Sequence, residues 1–130
     1  MGGLYNGGKR LHIIKLDKKY TTVTGTIPNL RKGVSDVQGC NQIAVIKNSG
    51  YTTASQVQTN LTFSTDSTYG RCATAINSGT IENKVIQKAK GSNGDNLVGS
   101  GIDVTNAEYL IIASSTYQTA TYNIDISITW

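Results

Sequence analysis

Tyr117 to Trp130 reads Y-Q-T-A-T-Y-N-I-D-I-S-I-T-W, and from Tyr122 onward it alternates without a break. Tyr122, Ile124, Ile126, Ile128 and Trp130 fall on one side, and Asn123, Asp125, Ser127 and Thr129 on the other. Side chains change face at every residue of a strand, so this is the pattern of a β-strand with one face on a core and one in water. The fold is expected to close around it.

Upstream, Glu108 to Ser114 is a second apolar strand, expected to pair antiparallel with the last one through a link near Ser115 and Thr116. Residues 9–16 and 20–27 are rich in β-branched residues and predict an N-terminal hairpin, ended by Pro28. Asn41 to Lys47 is a short apolar run of the kind buried on both faces. Asn48-Ser49-Gly50 and Asn77-Ser78-Gly79 are turn signals. Between them, Gln56 to Ser64 sets Val57, Thr59, Leu61 and Phe63 against Gln58, Asn60 and Thr62, which predicts a half-buried strand returned by Arg71 to Ile76. In Thr80 to Lys90 a helix competes, because Ile81, Val85 and Ala89 are four apart. Strand is preferred there for its β-branched Val85-Ile86. Residues 30–39 and 91–101 read as loops. Met1 to Gly8 reads as a flexible glycine-rich arm, leaving 9–130 as a single β-sandwich domain. Seven to eight short strands at intervals of about ten residues, divided by Gly, Asn and Ser turns, predict an all-β antiparallel β-sandwich, jelly-roll-like.

The composition fits that class. The 130 residues suffice for one core, and only 15% are charged, against roughly 25% in ordinary soluble domains. The net charge of +4 is unevenly placed. Residues 1–32 hold seven cations and one anion, net +6, while the remainder holds five cations and seven anions, net −2. A basic head of this kind fits a strand edge guarded by lysines, a neighbouring subunit, or nucleic acid. Tyr5, Lys9, Arg10, Lys18 and Lys19 are the candidate subunit contacts, and a capsid-like contact with nucleic acid through the basic hairpin is the third alternative. No apolar stretch is long enough to span a bilayer, and residues 1–10 lack a signal-peptide core, so no membrane insertion is expected.

Chemistry is sparse. His12 is the only histidine, which leaves a nucleophile–base arrangement little to rest on, and most carboxylates sit in turns where backbone geometry accounts for them. No catalytic residue, metal site or cofactor is expected; Ser92 to Asn96 offers oxygen ligands without the spacing of a calcium loop. Cys40 and Cys72 are too far apart for a C-x-x-C site. Two buried thiols are the first reading for them, and a disulfide the second. Sugar recognition asks for aromatic rings beside amides and carboxylates in loops. Tyr51, Asp66, Tyr69 and Tyr117 meet that description near Asn48 and Ser115, although tyrosines packed at strand ends meet it as well.

Asp103-Val104-Thr105-Asn106-Ala107-Glu108-Tyr109-Leu110-Ile111-Ile112-Ala113-Ser114, followed by the long alternating strand, resembles the final strand pair of jelly-roll modules in phage tail, baseplate and fibre proteins and in related carbohydrate-binding modules. In those modules a small residue and an aromatic open the penultimate strand. The resemblance implies a virion or tail-like structural protein, homo-oligomeric, bound to other particle proteins and in some cases to a cell-surface glycan. It places the protein in a virion or extracellular particle and carries over no individual site residue. The expected function is therefore a non-enzymatic structural or receptor-binding protein, with a carbohydrate-binding module or lectin as the alternative.

Overall fold

The computed structural model describes residues 3–7, 11–16, 20–27, 39–63, 72–89, 97–114 and 124–129. Within them lie ten strands and one helix: β1 (Gly3–Gly7), β2 (Leu11–Lys15), β3 (Thr22–Ile27), β4 (Gly39–Lys47), α1 (Ala54–Asn60), β5 (Leu61–Phe63), β6 (Ala73–Ile76), β7 (Thr80–Ala89), β8 (Leu97–Asp103), β9 (Tyr109–Ser114) and β10 (Ile124–Thr129). Two four-stranded sheets have the orders β1-β10-β3-β8 and β2-β9-β4-β7, and β5 and β6 form a separate pair.

The pairing has a simple logic. β1 pairs with β10, β2 with β9, β3 with β8, β4 with β7 and β5 with β6, all antiparallel. The chain is thus one long hairpin with its tip at β5–β6. Rolling that hairpin up adds two more antiparallel contacts, β10 against β3 and β4 against β9, which complete the two sheets. This is a jelly roll, in which chain-adjacent strands alternate between sheets. The rolling overturns two expected hairpins. β2 and β3 lie in different sheets, as do β9 and β10. The glycine-rich head is no free arm either, since Gly3–Gly7 is registered against Ile124–Ile128.

The core between the sheets holds Val23 and Ile102 from the first sheet and Ile43, Val45, Leu110 and Ile112 from the second, closed by Leu16, Val104 and Ala107. In β10, Ile128 is registered opposite Val23, which is fully buried. A second apolar cluster covers the other face of β2-β9-β4-β7. There Ala44, Ile46, Tyr109 and Ile111 meet Val57 of α1, Ala73 of β6, and Leu61 and Phe63 of β5. The molecule therefore has three layers, and β4 and β9 are buried on both faces, as the unbroken apolar run of Asn41 to Lys47 predicts.

Local chemistry explains the departures from alternation. Val57, Thr59 and Leu61 alternate in sequence, yet residues 54–60 are helical. The cause is a capping box: the Gln56 N–H donates to Thr53 Oγ1 at 3.2 Å, while Gln56 Oε1 accepts from the Thr53 N–H at 3.3 Å and the Thr52 N–H at 2.8 Å. Two otherwise orphaned donors are satisfied at the helix start. In β7 the helix-like spacing of Ile81 and Val85 is reconciled with a strand by a bulge. Ile43 faces Val85 but Ala44 faces Asn83, so Lys84 is the extra residue. The bulge swaps faces, and Val85 packs between the sheets while Ile81 packs under the third layer. The expected loop at 91–101 ends early, because β8 begins at Leu97.

Buried Gln42 ties the third layer down. Its Nε2 donates to Ala73 O at 2.8 Å and to Asn83 Oδ1 at 2.6 Å, and its Oε1 accepts from the Ala73 N–H at 2.8 Å. Next to Ala73, Cys72 is buried and disulfide-bonded, and the only other cysteine in the sequence is Cys40. The expectation of two free thiols is thus corrected to a disulfide, which staples the segment entering β6 to β4. His12 is buried, registered opposite Ile112 on the inter-sheet side of β2. No helix among the described residues is long and apolar enough to cross a membrane.

Candidate functional site

Three turns converge at one end of the sandwich. The two Asn-Ser-Gly turns, far apart in sequence, touch each other: Ser78 Oγ donates to Ser49 O at 2.9 Å. Gly79 is obligatory there. Its φ is +86°, and an added Cβ would meet the Lys47 carbonyl and the Ser49 backbone nitrogen, the latter at 2.7 Å. The third turn is Val104 to Ala107, closed by the Ala107 N–H donating to Val104 O at 2.9 Å. Asn106 has φ +64° and is the third residue of that turn, the type II arrangement. Asp103 Oδ1 accepts from the Thr105 N–H at 2.9 Å. Hydrogen bonds from the Thr105 side chain and backbone hold the Asp103 carboxyl below its ordinary value of 3.8.

Glu108 joins the turns. Its Oε1 accepts from the Ser49 N–H at 2.7 Å and the Ser49 hydroxyl at 2.8 Å, and its Oε2 from the Gly50 N–H at 3.3 Å. Its own N–H donates to Ile46 O at 2.8 Å, and Leu16 N–H donates to its carbonyl at 2.9 Å. Asn48 lies two residues beyond Ile46 and Asn106 two residues before Glu108, so that backbone bond sets the two asparagines about a common point. Both are left-handed, with Asn48 at φ +58°.

Between them opens a cleft of about 370 Å³ lined by Lys47, Asn48, Asn106 and Glu108. Asn48 and Asn106 are exposed. Lys47 Nζ lies 3.4 Å from Glu82 Oε2, and Lys84 Nζ 3.3 Å from the same oxygen. The Glu82 carboxyl is held below its ordinary value of 4.5, first by the hydrogen bond from Lys84, with Lys47 adding to it against an opposing desolvation. The lining itself carries one cation, Lys47, and one carboxylate, Glu108, beside the two carboxamides, and no apolar side chain among the described residues.

Of the expected site residues, the structure describes Tyr51 and Tyr5. Tyr51 is half-buried against the cluster beneath the third layer. Its N–H donates to Ser49 Oγ at 3.2 Å, and its carbonyl accepts from Tyr109 Oη at 2.9 Å. Tyr5 is registered opposite Ile126 in β1. Asp66, Tyr69, Tyr117, Lys9, Arg10, Lys18 and Lys19 lie outside the described residues, as do Ser92 to Asn96. In the basic head, Lys15 donates to the Thr52 carbonyl at 2.9 Å and fastens β2 to the segment before α1. Sequence reasoning passed over Asn106 and Glu108 as site residues; the available signal was an Asn in a tight turn, paired with a second Asn in the turn Asn48-Ser49-Gly50. No protein family, curated protein or solved structure matches the chain.

Proposed function

We propose that the chain is a non-enzymatic building block and receptor-binding module of a virion or phage-tail-like particle, assembling with copies of itself. The observation that carries this reading is the strand order, two four-stranded sheets rolled from a single nested hairpin, an architecture that recurs in capsid and lectin domains. Fold alone does not fix function, and the resemblance of residues 103–130 to tail and fibre modules adds to it. Subunit contacts are assigned to Tyr5, Lys9, Arg10, Lys18 and Lys19. Because β1 is an integral edge strand, the contacts are tested by charge reversal, Lys18→Glu with Lys19→Glu, in place of deletion. Light scattering on the native protein is expected to give a trimer, hexamer or larger particle that dissociates in the reversed variant. A monomer at all concentrations overturns the assembly reading.

The second reading, a free carbohydrate-binding module, is favoured by the cleft lined with two carboxamides. It predicts a monomer that retains sugar binding.

A further inference from the structure

The geometry points to the cleft between the Asn48 and Asn106 turns as a binding site for a neutral sugar, held through vicinal hydroxyls. Neither carboxamide has a hydrogen-bond partner among the described residues, while almost everything behind them is fully engaged. Glu108 is held by Ser49 and Gly50, and Lys47 by Glu82. The rigid parts thus hold the asparagines in place, and the asparagines are left to meet solvent.

A carboxamide sets a donor beside an acceptor, and each sugar hydroxyl is both. Two such groups facing one cleft match a pair of neighbouring hydroxyls. A phosphate or other anion fits poorly, because Lys47 is paired with Glu82 and the carboxylates of Glu108 and Asp103 stand nearby. An apolar ligand finds no apolar side chain among the described lining residues. The volume of about 370 Å³ lies at the small end of ligand pockets, the scale of a single sugar residue. Without an aromatic stacking partner among the described lining residues, and with water as the competitor for every hydrogen bond, affinity is expected in the millimolar range. A repetitive particle would convert such weak contacts into avidity.

Left-handed backbone is itself a reason to use Asn, so the test must separate conformation from recognition. Glycine accepts these φ values without strain, so Asn48→Gly with Asn106→Gly keeps both turns and removes only the amides. Amide chemical shifts of the isotope-labelled full chain are followed during titration with methyl α-galactopyranoside, methyl α-mannopyranoside and methyl α-glucopyranoside, with sodium methyl α-galactopyranosiduronate, its carboxylate free, as the charged counterpart. The expected result is saturable shifts centred on Asn48, Ser49, Gly50 and Asn106 with at least one neutral glycoside. Binding by the double glycine variant is expected to weaken at least about tenfold, with thermal stability retained. Absence of saturable shifts with all three glycosides, equal binding by the double variant, or preference for the uronate overturns the inference. The site rests on the receptor-binding part of the function proposed above. Its failure is separable, because assembly is read from native mass and the cleft from shifts at particular residues.

Discussion

At the scale of single residues, Gln42 does more for the fold than its polarity suggests. Its buried amide satisfies both the N–H and the C=O of buried Ala73. Gln42→Leu keeps volume but leaves those groups unpaired, and is expected to cost about 2–4 kcal/mol in urea unfolding. Tyr109 is fully buried, with its hydroxyl on the Tyr51 carbonyl. Tyr109→Phe is expected to cost about 1 kcal/mol, the net worth of one hydrogen bond. Burial, and secondarily the charge of Glu108, raise the Tyr109 phenol above its ordinary value of 10.0. A group whose folded value is raised binds its proton more tightly in the folded state. Its contribution is therefore complete below pH 10.0 and is lost as pH rises through the higher folded value. Phenolate absorbance should show a tyrosine ionising above the ordinary value of 10.0, and in Tyr109→Phe that step should be gone.

At the scale of elements, the helix is the clearest case of a local signal outweighing a pattern. Thr53-Ala54-Ser55-Gln56 is a capping-box sequence, and it sets residues 54–60 helical although Val57, Thr59 and Leu61 alternate. Thr53→Ala removes the cap and is expected to cost about 1 kcal/mol, measured as a fall in the unfolding midpoint. Strands were legible wherever both faces or one face are apolar: Asn41 to Lys47, Glu108 to Ser114 and the alternating last strand all form strands close to the expected bounds. Which strand pairs with which was not legible. Hairpin expectations assume that neighbours in sequence are neighbours in a sheet, whereas rolling sends β2 and β3, and likewise β9 and β10, to opposite sheets. The cleft was half legible for a related reason. Asn48 announces itself in a turn signal, but Asn106 joins it only because Glu108 bonds to Ile46 across the end of the sandwich.

At the scale of the whole molecule, the third layer gives the sandwich two unlike faces. The sheet β2-β9-β4-β7 is lidded by α1, β5 and β6, and the Gln42 bonds and the Cys72 disulfide hold that lid in place. Nesting of the strand pairs has a further effect, on the order in which the protein is made. A ribosome delivers β1 to β4 before any of their partners β7 to β10 exists, and β10, which lies between β1 and β3, emerges after all the others. Until it does, the two older strands present open edges that invite pairing with other chains. A nascent chain stalled before Ile124 is therefore expected to be cut readily by protease and to recruit chaperones. One stalled with the last strand clear of the exit tunnel should resist cleavage.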